Sequence, residues 1–211
     1  MEIVCITVSV NYSDILEHMI EQNSKFFKKW YIVTSPEDTN TIQLLEHVAK
    51  QNIQLLLFDD FYKTGCTFNK GGAVRFAQEY IDANHKDSNI LILDSDISLP
   101  DDCMDCLPKS VNVNTLYGVS ERKDYWTLDD FLKNEHPHIY FGGALCVGFF
   151  QLYNQNSKRY YVTSENCGLV DNYFRDSFPD RCLLGMSVKH LGKGSVNWNG
   201  RVTEVYTRTS I

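Results

Sequence analysis

An α/β fold is what this sequence predicts: one domain with a mostly parallel central sheet flanked by helices. Two observations carry the prediction. Over the first hundred residues, short apolar runs alternate with segments of helical periodicity, and strands alternating with helices imply a parallel sheet joined by crossover helices. The run Asn89-Ile-Leu-Ile-Leu-Asp94-Ser-Asp96 then ends an apolar strand in two carboxylates, at the place where open α/β sheets bind ligands.

Each element follows from local pattern. Residues 3–10 read as the first strand. Residues 14–28 read as a helix with Ile15, Leu16, Met19 and Ile20 on one face. A strand over 30–34, a helix over 41–50 carrying Leu44, Leu45 and Val48, and a strand over 53–58 follow. Residues 72–83 form a helix with Ala73, Val74, Ala77, Tyr80 and Ile81 on one side and Asn84 as its C-cap. Residues 90–93 are the strand that delivers Asp94. The second half is less regular, with strands over 115–120, 139–153 and 183–190 and a short helix over 167–177. One domain over 1–211 is expected. Residues 1–100 would handle a nucleotide and 101–211 the reaction partner.

The 211 residues suffice for one well-buried core, and 43% hydrophobic with 22% charged residues is ordinary globular composition. A net charge of −7 argues against a nucleic-acid surface, which needs a basic stripe. No stretch approaches the ~20 apolar residues of a membrane span, and the N-terminus lacks the basic region of a secretory signal. Seven cysteines without framework spacing point to reduced thiols and a cytoplasmic setting. The lone Cys103-x-x-Cys106 lacks the second pair that zinc requires. The chain ends without a tail, which suits one module of a longer polypeptide.

Five constellations bear chemistry. Asp94 and Asp96, about 6 to 7 Å apart if extended, point the same way; two hard oxygen donors suit Mg²⁺ or Mn²⁺ bound together with substrate phosphates. Asp-Ser-Asp is also ordinary turn chemistry. Phe68-Asn69-Lys70-Gly71-Gly72-Ala73 opens a helix, where free N–H groups, Lys70 and Arg75 would receive an anion and the glycines would let backbone approach it. His190, followed by Gly192 and Lys193, offers a nitrogen ligand that tilts the choice toward Mn²⁺, or else is a surface loop histidine. Gly142 and Gly143 would admit a sugar ring against backbone, or mark a bulge. Glu165 and Asp171 offer a general base or an anion facing a positively charged sugar; helix capping and dipole compensation explain them as well.

In this order the elements resemble a glycosyltransferase of the GT-A fold, with its Rossmann-like sheet. Asp94-Ser95-Asp96 matches the family's DXD motif. Lys70-Gly71-Gly72-Ala73 matches its helix start, and His190 with Gly192 and Lys193 is similar to the HxxGxxK element of its retaining members, though more closely spaced. The resemblance implies metal-dependent transfer of a hexose or 6-deoxyhexose from a UDP-sugar to a glycan or protein-linked acceptor; the late histidine leans toward retention, whereas Asp171 as a base would permit inversion. It implies Asp94, Asp96 and His190 as ligands of Mn²⁺ or Mg²⁺, and Asp171 and Glu165 as catalytic acids. It places the donor against Thr7, Tyr12, Asp38, Asn69, Lys70, Arg75, Ser95, Gly142, Gly143 and Lys193. Small size without a membrane span is also similar to viral glycosyltransferase modules acting on capsid protein, which implies the host cytoplasm. Three rivals stand beside it. A haloacid-dehalogenase-type phosphatase also uses an apolar strand followed by DxD, but at its first strand. A sugar nucleotidyltransferase wants a Gly- and Arg-rich loop where this chain has Ser9-Val-Asn-Tyr-Ser13. A sugar-nucleotide binder without activity would keep the metal site.

Overall fold

The computed structural model describes residues 1–62, 68–141, 146, 148–162 and 167–192. In chain order the elements are β1 (Ile3–Val8), α1 (Ser13–Asn23), β2 (Lys29–Thr34), α2 (Thr39–Val48), β3 (Ile53–Leu57), α3 (Lys70–Asn84) and β4 (Asn89–Leu93). There follow β5 (Ile97–Ser98), α4 (Cys103–Cys106), β6 (Thr115–Tyr125), α5 (Leu128–Lys133), β7 (His138–Phe141), β8 (Phe150–Asn154), α6 (Cys167–Asp176) and β9 (Asp180–Leu191). One sheet joins both halves in the order β3-β2-β1-β4-β8-β6-β9-β5, with β7 on β6. The expected parallel sheet is present in β3-β2-β1-β4. Beyond β4 the sheet is mixed: β8 is antiparallel to both β4 and β6, whereas β6 and β9 are parallel.

Side chains alternate across a strand, so a sheet covered on both faces reads as a continuous apolar run. In β1, Ile3 and Cys5 join one core with Ile15, Leu16, Met19 and Ile20 of α1. Val4 and Ile6 join the other, with Ala73, Val74, Ala77 and Ile81 of α3. Each fully buried Leu- or Ile-sized side chain stabilises by about 1.5–3 kcal/mol.

Four segments differ from the pattern-based expectation. The helix expected over 14–28 stops at Asn23 and tightens into a 3₁₀ turn, Ser24–Phe26. There the fully buried Asn23 turns inward, donating to the Ile97 carbonyl at 2.7 Å and accepting from the Leu99 N–H at 2.9 Å. The strand expected over 139–153 is two strands, because β7 pairs with β6 while β8 inserts between β4 and β6. Strand β6 runs five residues past 120, through Glu121, Arg122, Lys123 and Asp124. Those charges are tolerated because they pair with one another, Arg122 with Asp124 and Lys123 with Glu121. Asn84 is the last residue of α3 rather than its cap, which is His85.

Candidate active site

Three strand ends and two helices converge beyond the carboxyl end of β4. The fully buried Thr7 hydroxyl donates to the Leu93 carbonyl at 2.8 Å and accepts from the Trp30 indole at 2.9 Å. These bonds tie the ends of β1 and β4 to each other and to the Trp30 side chain, which reaches up from the start of β2. They also use up the Thr7 hydroxyl inside the core, so the expected donor contact is replaced by a structural one. Past Leu93, the Asp94 N–H bonds the Phe149 carbonyl at 3.2 Å, and the chain turns through the buried Ser95 into β5.

The turn sends its two carboxylates to different partners. Asp94 meets Lys70 at 2.9 Å. Asp96 meets His190 Nε2 at 3.3 Å, because β5 pairs antiparallel with β9 and sets Ile97 opposite His190. The parallel β6–β9 register places Asp124 directly beside His190, and Asp124 lies 3.0 Å from its Nδ1. Arg122 closes this line with two bonds to the Asp124 carboxylate, at 2.7 and 3.1 Å.

The helix start at Asn69–Gly72 has a different basis from the one its glycines imply. Asn69 caps α3, accepting from the Gly72 N–H at 2.9 Å and donating to the Asp60 carbonyl at 3.3 Å. A Cβ at Gly72 would lie 2.5 Å from that amide, and one at Gly71 would lie 2.1 Å from the Val162 carbonyl and 3.1 Å from Val170. Both glycines make room for neighbouring protein atoms. Gly71 lets α6 approach, and Phe174 of α6 stacks on Tyr161 with ring centroids 4.4 Å apart. This packing brings Asp171 to 3.4 Å from Lys70 and 3.1 Å from the Tyr161 hydroxyl. Tyr161 also donates to Gln151, whose amide donates to the Asp171 carbonyl at 3.3 Å. Lys70 therefore bridges Asp94 and Asp171.

Other expected contacts lie elsewhere. Asp38 is buried as the N-cap of α2, accepting from the Thr41 N–H at 3.1 Å, the Thr34 hydroxyl at 3.0 Å and the Asn11 N–H at 2.7 Å. Both of its oxygens are engaged by the fold. Arg75, expected to help receive an anion, lies one turn into α3, about half exposed, and pairs with Glu79. Tyr12 is the N-cap residue of α1 and packs against the first core. Gly142, Gly143, Glu165 and Lys193 lie outside the described residues. The pattern of the sequence did not mark Asp124, Arg122, Tyr161, Gln151 or Gly148. A Cβ at Gly148 would sit 1.9 Å from an Asp171 carboxylate oxygen, so this glycine is the floor on which that carboxylate rests.

Four carboxylates in this cluster (Asp94, Asp96, Asp124 and Asp171) face three cations, Lys70, Arg122 and His190. The imbalance falls on Asp94. Burial pushes its carboxyl up to about 6, with Lys70 pulling the other way. For Asp96, burial is more than offset by His190, which holds it below the usual carboxylate range. Burial opposes the charge on His190, but Asp96 and Asp124 outweigh it and raise the imidazole to about 9. Lys70 is likewise held above its ordinary value by Asp171 and Asp94 against the effect of burial. Burial and the Asp171 charge push the Tyr161 hydroxyl well above 10, so it is a donor at neutral pH.

These donors fit a divalent cation in part. Asp96 and His190 Nε2 are two adjacent ligands of the right type, and Mg²⁺ or Mn²⁺ commonly takes one or two carboxylates and fills its shell with phosphates and water. Among the described residues no three His, Cys, Asp or Glu side chains converge on one point. Asp94 would join only by leaving Lys70.

No family model and no curated protein matches the chain. Among solved structures, 4-diphosphocytidyl-2C-methyl-D-erythritol synthase superposes with a TM-score of 0.51 at 13% identity, over 87% of this chain and 88% of that one. The galactosyltransferase LgtC, in complex with donor and acceptor sugar analogues, gives 0.49 at 11% identity, over 94% and 89%. The same kind of synthase from Anaerococcus prevotii gives 0.48 at 12%, over 98% and 93%. The first of these places the chain in a nucleotidyltransferase-like α/β fold, a mixed sheet flanked by helices. No helix among the described residues is long and apolar enough to cross a membrane.

Proposed function

We propose that the chain is a metal-dependent glycosyltransferase that moves a hexose or 6-deoxyhexose from a UDP-sugar to a glycan or protein-linked acceptor with retention. The observation that carries this reading is the line of charge at the β4 end: Asp171–Lys70–Asp94 continuing through one turn into Asp96–His190–Asp124. In such a transfer the bond from the anomeric carbon to the diphosphate oxygen breaks and its electron pair leaves with the diphosphate. The acceptor oxygen bonds the same carbon and gives up its proton to the departing diphosphate oxygen. The site must stabilise negative charge on the leaving group and positive charge on the sugar. Lys70 supplies the first kind of contact and the carboxylate of Asp171 the second. Asp96 and His190, joined by Asp94, would hold Mn²⁺ or Mg²⁺, which when bound neutralises the diphosphate as a Lewis acid. A cation there also relieves the excess carboxylate charge on Asp94. The acceptor class and a viral setting rest on the sequence resemblance alone.

A nucleotidyltransferase is the second reading, favoured by the fold shared with the cytidylyl-type synthase. Against it, the segment after β1 carries no glycine or arginine to cradle a triphosphate. A phosphatase of the haloacid-dehalogenase type fits less well, since Asp94 follows the fourth strand and is already paired with Lys70. One panel separates all readings, including an inactive binder. UDP- and GDP-sugars, and nucleoside triphosphates with sugar phosphates, are incubated with Mn²⁺ and a glycan mixture. Release of UDP is expected from a UDP-sugar only. Release of pyrophosphate from a triphosphate would replace the first reading with the second.

A further inference from the structure

His190 can present its Nε2 to a cation only if its other nitrogen carries the ring proton and the ring is held in place. Nδ1 lies 3.0 Å from a carboxylate oxygen of Asp124. An ionised carboxylate only accepts. Asp96 faces Nε2 at 3.3 Å in the same way, but Asp124 is the closer acceptor, so a single ring proton is best placed on Nδ1. Asp124 is fully buried, and Arg122 grips both of its oxygens from two residues away on the same strand. The guanidinium in turn lies over the Phe149 and Tyr140 rings, 5.0 and 5.3 Å from their centroids, so its position is set by packing as well as charge. The three side chains stand side by side because β6 and β9 are parallel and in register at Asp124 and His190. From this we infer that the Arg122–Asp124 pair is a positioning element: it fixes His190 in the Nδ1–H form and aims Nε2, next to Asp96, at a divalent cation. The inference rests on the metal-dependent reading above, but the state of the ring can be tested without metal.

Burying an ion pair on a strand is costly without a purpose that rewards it. Here the purpose is geometric. Partners behind a ligating histidine set its tautomer and basicity, and their loss commonly costs about 10- to 100-fold in metal affinity. The test uses the whole chain with ¹⁵N-labelled histidine. In metal-free wild type at pH 10, the His190 shifts should report the neutral Nδ1–H tautomer. Asp124→Asn, whose amide N–H can turn toward the ring, should shift the population to Nε2–H. Its Mn²⁺ dissociation constant, measured by electron paramagnetic resonance with UDP present, should rise about 10- to 100-fold. An Nε2–H tautomer in the wild type would overturn the inference with no variant needed. So would a folded Asp124→Asn protein that keeps both the Nδ1–H tautomer and wild-type Mn²⁺ affinity, which is what a purely structural Asp124 predicts. If the wild type binds no Mn²⁺ with or without UDP, the metal-dependent reading fails, and so does this role for the pair. The tautomer then still reports whether Asp124 orients the ring.

Discussion

Replacing Lys70 with methionine removes the ammonium that bridges Asp94 and Asp171 while keeping most of the side-chain volume. The ion pairs are 2.9 and 3.4 Å long, and each is worth on the order of 5 kcal/mol of gross attraction at an effective dielectric of about 20. Desolvation cancels much of this, and breaking a buried pair costs about 3–5 kcal/mol. The Asp94 side chain is 35% exposed, so solvent screening lowers the expectation to about 2–3 kcal/mol at pH 8. At 2–4 °C per kcal/mol for a domain of this size, the midpoint should fall by roughly 4–12 °C. The cost should also depend on pH. Asp94 is raised to about 6 in the folded protein, above its unfolded value of 3.8. The native state therefore binds the extra proton, and this contribution to stability is present at low pH and lost as pH rises through 6. Without Lys70 the carboxyl rises further, and each unit of that rise makes about 1.4 kcal/mol of the destabilisation vanish on acidification to pH 5. Denaturant titrations at pH 8 and 5 of the wild type, Lys70→Met, Asp94→Asn and the double variant measure both effects. The reasoning fails if the loss in Lys70→Met is the same at both pH values, or if Asp94→Asn rescues none of it.

Three further outcomes follow from the same geometry. In Gly148→Ala the new methyl must push the Asp171 carboxylate off its floor. Because the end of that side chain can swing, the midpoint should move little while transfer falls about 100-fold, as for an ångström-scale misplacement; unchanged turnover would remove Asp171 from the reaction. Asp38→Ala should cost about 1–2 kcal/mol as a lost N-cap without a selective loss of donor affinity, and the opposite result by calorimetry would return Asp38 to the nucleotide. Because His190 is held protonated up to about 9, Mn²⁺ must displace that proton. Its apparent affinity should rise with pH, level off above about 9, and be accompanied by release of close to one proton at pH 7; affinity that is flat between pH 6 and 9 would take His190 out of the metal shell.

The first half of the fold was legible because β1, β2 and β4 are covered on both faces, which leaves apolar runs separated by amphipathic helices. The strand ending in Asp94 and the helix beginning at Lys70 were legible for the same reason. The second half hid its strands behind charge. The stretch Glu121–Asp124 carries no apolar side chain, and the pairing of Arg122 with Asp124 and of Lys123 with Glu121, seen in space, explains how it stays in a sheet. Asp124 could not be linked to His190 from a sequence separation of 66. The glycines of α3 also have a packing reason that sequence alone could not show, since they make room for Val162 and Asn69. Thr7 and Asp38 stood at the correct strand ends, yet their polar atoms are consumed by the fold.

The measurement that bears most directly on the central claim is calorimetric titration of a UDP-sugar into the wild type and Asp96→Ala, each with Mn²⁺ and with EDTA. Metal-dependent binding by the wild type, lost in EDTA and lost in a still-folded Asp96→Ala protein, is the predicted result. Equal donor affinity in all four titrations would contradict it, and would leave the Asp94–Asp96 turn as a structural corner of the sheet.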